Sequence, residues 1–394
     1  MRGSVDAVGE DARAALPWPS DLDCAARVLY EGSTLSDYAL RTGLSAILAG
    51  ATVFAAASGG WREERRRLEF CAELYDARDR DAVFGASGGS TGSAGSAGSA
   101  RSTGSARSTS EVAAVPGRGP GVPGGRVELL RFPSTYVALN PELREDYARH
   151  ENNALARAQH WRHEDGPRPT LCVIHGFGAS PAWLNTAFFS LKDFFAEGWD
   201  VLLYTLPFHG SRRGTSFPIN GVELFSYGMA HFSEAMIHAV HDFRALVDHL
   251  AEQGAPRIGL TGISLGGYVS ALLAAVEPRL DFVIPNAAVT WLPPLTDSWF
   301  PSNLTGAALR ALTRVSPDLL ERALALHSPL SWAPLIPKDR LMIVAGLGDR
   351  LAPPEQSLLL WEHWDQPELR WFPGSHVLHF GRREYLEAMR GLMA

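Results

Sequence analysis

The sequence has few cysteines, no surplus of basic residues and no apolar run near its first residue. Its 394 residues include 3 cysteines, Cys24, Cys71 and Cys172, which are too few and too widely spaced for a disulfide framework or a paired metal-ligand motif. The formal net charge of −7 argues against nucleic acid as a partner, because binding to phosphates requires a basic surface. Acidic residues near the start argue against a secretory signal. We therefore predict a cytoplasmic protein that binds no metal.

Residues 85–125 have very few large apolar side chains. Gly, Ser, Ala and Thr dominate this segment, followed by Pro and Gly, and such a composition buries too little apolar surface to offset the entropy lost on ordering. We interpret it as a disordered linker. The linker separates an N-terminal helical region, 1–84, from a second unit, 126–394.

The stretch 43–61 contains no charged residue. An uncharged stretch of this length suggests either contact with a membrane, as a transmembrane or interfacial helix, or a helix buried against the neighbouring domain. Most of its apolar side chains are alanine, and Gly50, Gly59 and Gly60 interrupt it. Because such a composition gains little from lipid, the sequence favours the buried helix over the membrane contact.

Short apolar runs alternate with longer amphipathic segments after residue 126. This alternation predicts crossover connections and hence an α/β fold, in which helices flank a mostly parallel sheet. A small helical cap is expected at about 290–338, and ligands in such folds bind beyond the carboxyl ends of the strands. Strands are predicted at 127–132, 170–174, 201–206, 258–261, 282–285, 341–344 and 370–372, and helices at 182–196, 222–253, 266–276, 354–363 and 382–393.

A serine flanked by glycines follows one of these strands. Residues 262–266 read GISLG and fit the pattern G-x-S-x-G, centred on Ser264. The same pattern occurs around Ser87 and Ser90, but only Ser264 lies between a predicted strand and a predicted helix, as a nucleophile elbow requires. A serine that caps the helix N-terminus is the alternative. The context favours Ser264 as a catalytic nucleophile.

Two backbone N–H groups are needed near such a serine to stabilise an oxyanion. Residues 175–178 read HGFG directly after the strand 170–174, where this type of fold supplies one of the two donors. We assign the donors to the amides of Phe177 and Leu265 and give His175 a structural role. A plain glycine turn is the alternative for this loop.

An acid and a base follow the serine in the chain. Asp349 lies just beyond the strand 341–344, and His376 lies just beyond the strand 370–372. We predict that Asp349 orients an imidazole and that His376 is the general base. A turn-forming role is the alternative for Asp349, and His379 is the nearby rival of His376.

The order and context of these motifs resemble those of the α/β-hydrolase superfamily of serine esterases and lipases, over residues 126–394. The segment 261–267, TGISLGG, together with the helical region before the linker, also resembles the branch named for α/β-hydrolase domain-containing protein 18. The second resemblance implies that residues 1–84 belong to the hydrolase unit. The sequence departs from the superfamily pattern at one place, because one strand, 127–132, precedes residue 170 where two are usual.

The superfamily resemblance implies a serine hydrolase that cleaves carboxylic esters or related acyl bonds through a Ser-His-Asp triad and an acyl-enzyme, without a cofactor. Thioesterase, peptidase and acyltransferase activities use the same residues, and a catalytically idle binding protein is the other alternative. We expect a small acyl ester with an apolar acyl group as the substrate. His209, beyond a strand, and Trp291 and Trp299, in the expected cap, are predicted to contact it.

Overall fold

The computed structural model describes residues 16–17, 22–57, 61–86, 112–117, 121–214, 219–293 and 298–394. Its strands are β1 (Ala113–Pro116), β2 (Gly125–Pro133), β3 (Leu155–His163), β4 (Thr170–Ile174), β5 (Asp200–Thr205), β6 (Ile258–Ile263), β7 (Phe282–Asn286), β8 (Met342–Gly346) and β9 (Glu368–Phe372). Its helices are α1 (Cys24–Ala57), α2 (Trp61–Asp76), α3 (Arg80–Phe84), α4 (Arg144–Ala148), α5 (Ala182–Phe189), α6 (Leu191–Ala196), α7 (Met229–Glu252), α8 (Leu265–Ala274), α9 (Ser302–Thr313), α10 (Pro317–Ala325), α11 (Pro354–His363) and α12 (Arg382–Met393).

The strands of the described ranges form one 9-stranded sheet in the spatial order β1-β2-β3-β5-β4-β6-β7-β8-β9. Antiparallel pairing joins β1 to β2, β2 to β3 and β3 to β5, whereas the strands from β5 to β9 in that spatial order pair in parallel. Parallel neighbours need crossover connections, which the intervening helices provide. The carboxyl ends of β4 to β9 therefore meet at one edge of the sheet.

Helices cover both faces of the sheet. Side chains of α5, α6 and α12, such as Phe194 and Met389, pack on one face, and side chains of α7 and α8, such as Phe243 and Leu272, pack on the other. Strands covered on two sides carry near-continuous hydrophobic runs. In β4, accordingly, every residue is buried. This arrangement confirms the prediction of a mostly parallel sheet flanked by helices.

The first edge of the sheet differs from the prediction. Three strands precede residue 170, not one, and β3 was missed because its inward side chains include Ala156, Ala158 and His160, residue types with little preference for strands. The strand β1 lies inside the segment predicted as a disordered linker, so that prediction is wrong for residues 113–116. The linker residues 87–111 lie outside the described residues.

The helix α1 packs through one face on the part of the chain that follows the predicted linker. The Ser45 hydroxyl lies 2.9 Å from the Ser302 hydroxyl and accepts a hydrogen bond from the Ser302 N–H, which joins α1 to α9 in the segment expected to form the cap. Ala49 and Ala51 are buried, whereas Val53 and Phe54 are 58% and 42% exposed. No helix of the described ranges is long and apolar enough to cross a membrane.

The helix α2 is anchored by buried polar contacts. The Glu64 carboxylate accepts hydrogen bonds from the N–H groups of Met229 and Ala230, at 2.6 and 3.1 Å, and so caps the N-terminus of α7, where anions are favoured. Further along α7, Arg244 donates to the carbonyl oxygens of Phe84 and Gly85, at the end of α3, at 2.6 and 2.7 Å. The N-terminal helices are therefore joined to α7, which packs on one face of the sheet, by contacts from both α2 and the end of α3.

Candidate active site

Ser264 lies in the sharp turn between β6 and α8. Its backbone angles, φ 57° and ψ −116°, are rare for a residue with a side chain and store strain that the surroundings must offset. Its N–H donates to the carbonyl oxygen of Asn286 at 2.9 Å, and its own carbonyl accepts from the N–H of Tyr268 at 2.8 Å. Ser264 thus has the strand–turn–helix setting of a nucleophile elbow.

The glycines around Ser264 are sterically required. An added Cβ at Gly266 would overlap the carbonyl oxygen of Ile174 in β4, and an added Cβ at Gly262 would overlap the carbonyl oxygen of Gly266. Both are collisions with backbone, which side-chain movement cannot relieve. The spacing of the motif therefore follows from how closely α8 approaches β4.

The loop after β4 passes beside the serine. An added Cβ at Gly176 would lie 3.4 Å from the Cβ of Ser264, so the loop backbone contacts the elbow at this point. Phe177 is the next residue of this loop, and Leu265 is the first residue of α8. The two residues predicted as oxyanion donors therefore lie in the two backbone segments that adjoin Ser264.

His175 is held by two hydrogen bonds that fix its tautomer. Its Nδ1 lies 2.8 Å from the carbonyl oxygen of Gly176, to which it donates, and its Nε2 accepts from the N–H of Leu206 at 3.2 Å. Burial lowers the pKa of His175 to about 4, so the imidazole is neutral at physiological pH. His175 therefore has a structural role, joining the loop after β4 to the loop after β5.

Asp349 and His376 form a buried hydrogen-bonded pair. Nδ1 of His376 lies 2.7 Å from Oδ2 of Asp349. The other carboxylate oxygen of Asp349 accepts from the N–H groups of Leu351 and Ala352 at 2.8 and 2.7 Å, which holds the carboxylate in place. Because Nδ1 donates to the carboxylate, Nε2 is the nitrogen that can accept a proton.

The pair sets the basicity of His376. Burial acts to lower the pKa of this imidazole, but the charge of Asp349 and its hydrogen bond outweigh burial and raise the pKa above the ordinary value of 6.5. An opposite charge within hydrogen-bond distance favours the imidazolium form. His376 is thus a stronger base than an exposed histidine.

The other candidate histidines have different surroundings. His379 stacks on Phe372 with ring centroids 3.9 Å apart and lies within hydrogen-bond distance of the Tyr385 hydroxyl, at 3.1 Å. His209 is fully buried, and its Nδ1 donates to the carbonyl oxygen of Pro207 at 2.8 Å. Burial lowers the pKa of both histidines to about 3. Of the three, His376 pairs with Asp349.

The residues expected to contact substrate are largely buried. The side chain of Trp291 belongs to the main hydrophobic core, and its backbone N–H donates to Oε1 of Gln356 at 2.7 Å. Trp299, just before α9, is also buried. His209 lies against the loop after β4, with its ring centroid 5.7 Å from that of Phe177. Packing thus accounts for both tryptophans, while His209 borders the site through Phe177.

A second cluster of serine, histidine and aspartate surrounds α7. Nε2 of His238 lies 2.9 Å from the Ser134 hydroxyl and 3.0 Å from Oδ2 of Asp242, so serine and carboxylate share one ring nitrogen. Arg212 also donates to Asp242 at 2.7 Å. In a triad the two partners occupy opposite nitrogens, so this cluster is a structural network.

The His, Cys, Asp and Glu side chains of the described residues are the potential ligands for a metal ion. Among them, no group of three or more could hold one.

One residue beside the pair was missed by the sequence interpretation. Asp37 of α1 is fully buried, and its Oδ2 accepts hydrogen bonds from the N–H groups of Arg350 and His376 at 3.0 and 2.8 Å. An acidic residue in the N-terminal helical region is expected to be solvent-exposed, so the local sequence does not indicate this contact. The contact brings the N-terminal region to the candidate active site.

Comparisons with known proteins agree with this architecture. Residues 171–388 match the alpha/beta hydrolase family. Uncharacterized proteins from two strains of Mycobacterium tuberculosis, CDC 1551 / Oshkosh and H37Rv, are each 35% identical to this chain over 230 residues, which are 56% of this chain and 52% of the relative. The chain thus spans about half the length of the curated relatives it matches.

Solved structures with low sequence identity share the fold. Acetyl xylan esterase 1 from Thermoanaerobacterium sp. JW/SL YS485 has a TM-score of 0.52 at 16% identity, covering 72% of this chain and 87% of that chain. Acetyl xylan esterase from Paenibacillus sp. R4 has a TM-score of 0.50 at the same identity of 16% and the same coverages of 72% and 87%. With the family match extending over more than half of its length, the chain belongs to the α/β-hydrolase family.

Proposed function

We propose that this α/β hydrolase cleaves carboxylic esters with Ser264 as nucleophile, His376 as general base and Asp349 as the acid that orients the base. The observation that carries the proposal is the 2.7 Å hydrogen bond between Nδ1 of His376 and Oδ2 of Asp349, because it leaves Nε2 free to accept the serine proton. The order of the strands supports it, since β6, β8 and β9 end at the same edge of the sheet.

The proposed reaction is acyl transfer to serine and then to water. Nε2 of His376 takes the hydroxyl proton as Oγ of Ser264 attacks the ester carbonyl carbon, and the amides of Phe177 and Leu265 donate to the oxyanion. The intermediate collapses as the protonated His376 gives its proton to the departing alcohol. His376 then activates water, which releases the carboxylic acid and restores the serine. The reaction uses no cofactor.

The substrate that we propose is a small acyl ester with an apolar acyl group. Because Trp291 and Trp299 are taken up by packing, the preference rests on Phe300 and Leu304 near the start of α9, which are exposed; each methylene buried against such side chains contributes about 0.8 kcal/mol. Hydrolysis rates for esters, thioesters and amides of one acyl group, compared over graded chain lengths, would define the acyl preference and the bond cleaved.

The state of the cysteines bears on the cellular location that we propose. All 3 cysteines are free, which is consistent with a cytoplasmic protein.

Labelling by a fluorophosphonate probe tests the nucleophile. The wild-type protein should be labelled, and Ser264→Ala should abolish both labelling and ester hydrolysis. Ser87→Ala is a matched control, because Ser87 has the same flanking pattern of glycines without the strand–turn–helix context predicted for Ser264. Labelling that persists in Ser264→Ala would contradict the assignment, and a folded wild-type protein that neither reacts nor hydrolyses any ester would favour the catalytically idle alternative.

A further inference from the structure

Asp37 has an unusual environment for an acidic residue on a long helix. It is fully buried, one carboxylate oxygen accepts two backbone N–H groups, and the other oxygen, Oδ1, has no hydrogen-bond partner. Burying a carboxylate without full compensation is unfavourable, so the position calls for a reason. The two N–H donors belong to Arg350 and His376, which lie in the loops that carry the proposed acid and the proposed base.

We propose that Asp37 is a positioning residue for the catalytic pair, and that it makes α1 part of the catalytic unit. A single oxygen, Oδ2, joins the N–H next to Asp349 in the chain to the N–H of His376 itself. Asp37 therefore fixes the distance between the backbones of the two loops, while the hydrogen bond between His376 and Asp349 fixes the distance between their side chains. The inference rests on the proposed serine hydrolase function, and Asp37 acts through His376 and Asp349 without touching the substrate.

Further contacts hold the acid loop against α1. The guanidinium of Arg350 donates to the Tyr30 hydroxyl at 2.9 Å, and the Thr34 hydroxyl lies 3.5 Å from the carbonyl oxygen of Gly348. An added Cβ at Gly348 would lie 3.0 Å from the Thr34 hydroxyl oxygen, so the loop backbone is in close contact with the helix. The acid loop is thus supported over one turn of α1, and Asp37 extends that support to the base loop.

The charge of Asp37 also acts on the imidazole. Among the described residues, the titratable groups next to His376 are Asp37 from α1, Asp349 from the loop after β8 and His379 from its own loop, and the N–H of Arg350 shares Oδ2 of Asp37. His379 is neutral, since burial lowers its pKa to about 3, and the Arg350 guanidinium bonds to Tyr30. Burial lowers the pKa of His376, whereas Asp349 and then Asp37 raise it. Removing the charge of Asp37 should therefore lower the pKa of His376.

Two substitutions separate the hydrogen bonds from the charge. Asp37→Asn retains an oxygen that can accept the two N–H groups but removes the charge, and Asp37→Ala removes both. In Asp37→Ala we expect kcat to fall about 10- to 100-fold with KM nearly unchanged, as for other residues that orient reacting groups. In Asp37→Asn we expect most of kcat at alkaline pH, with the acidic limb of kcat/KM shifted to lower pH.

The controls distinguish this inference from the proposed function. Glu31→Gln, an exposed acidic position on the same helix, should behave like the wild type in kcat and in its pH profile. Activity in the wild type and its loss in Ser264→Ala establish the serine mechanism independently of Asp37. An active Asp37→Ala with wild-type kcat per folded molecule would overturn the inference. If Asp37→Ala does not fold, an unshifted acidic limb in Asp37→Asn would overturn it.

Discussion

At the scale of single residues, the structure distinguishes His376 from its neighbour three positions later. His376 pairs with Asp349, while His379 is stacked on Phe372 and its Nε2 lies 3.3 Å from the His376 carbonyl oxygen. We expect His376→Ala to lower kcat by about four to six orders of magnitude, as loss of a triad member does. His379→Ala should lower kcat less than about tenfold and mainly reduce the melting temperature, because it removes packing and a support for the His376 backbone.

Both variants should be assayed on one activated ester, below the melting temperature of the less stable one. Circular dichroism would confirm that each is folded. Near-normal turnover by His376→Ala, with near-complete loss in His379→Ala, would reverse the assignment of the base.

The raised pKa of His376 predicts the direction of the pH dependence. The general base works in its neutral form, so activity falls as the pH drops through the pKa of His376 in the free enzyme. Because that pKa lies above the ordinary value of 6.5, the acidic limb of kcat/KM should have its midpoint above 6.5. An ester without ionisable groups isolates the enzyme's titration, and a midpoint clearly below 6.5 would contradict the proposed pairing with Asp349.

Local sequence context predicts most of this site but not Asp37. Ser264 follows β6 directly, and Asp349 and His376 lie within four residues of the ends of β8 and β9, so a short window of sequence contains the strand, the turn and the proposed catalytic residue. Asp37 makes its contacts with residues 313 and 339 positions away in the chain. Nothing within its own helix distinguishes it from a solvated acid, and only tertiary packing gives it this role.

At the scale of secondary structure elements, Glu64 provides a test of how α2 stabilises α7. Its carboxylate accepts from the N–H groups of Met229 and Ala230. These residues begin α7, so the helix itself supplies no carbonyl acceptor for them. Glu64→Ala should lower the free energy of unfolding by about 1–2 kcal/mol, the usual cost of removing an N-terminal cap. Denaturant unfolding would measure the change.

The adjacent residue supplies the control. Glu63 forms a surface ion pair with Arg66 within the same helix, at 2.9 Å, and exposed pairs contribute little. Glu63→Ala should therefore change the free energy of unfolding by less than about 0.5 kcal/mol. Equal losses in the two variants would mean that the cap contributes no more than helix propensity does.

The elements with strong apolar periodicity could be predicted, and those with weak periodicity could not. The fully buried β4 and the helices α11 and α12 have the same bounds as predicted. The predicted helix 182–196 is instead split into α5 and α6 by Ser190, at φ 53°, a turn that composition does not signal. The antiparallel edge was missed because β3 alternates small and polar side chains and owes its place to pairing with β2 and β5.

At the scale of the whole molecule, the N-terminal helices and the family-matched region are joined by different kinds of contact. The Asp76 carboxylate of α2 pairs with Arg322 of α10, the Glu64 carboxylate caps α7, and Asp37 accepts from both site loops. The uncharged stretch 43–61 predicted burial against the neighbouring domain. In the structure, Ser45 of this stretch contacts α9 and Ala49 and Ala51 are buried, whereas Val53 and Phe54 are exposed, so the helix is buried on one face only.

These contacts predict that the N-terminal region stays bound when the covalent connection is cut. A recognition sequence for a site-specific protease, inserted within residues 91–105, would allow cleavage in the segment predicted as a linker. Buried hydrogen bonds and an apolar interface of this kind hold domain parts together without a covalent link, so the two fragments should co-elute in size-exclusion chromatography and retain ester hydrolysis. Raising the salt concentration should not separate them, because buried contacts are screened less than surface ion pairs.

Two outcomes would contradict parts of this picture. If the N-terminal fragment elutes independently and the remainder keeps full turnover, α1 has no catalytic role. If it elutes independently and turnover is lost, docking is weak but the active site depends on it.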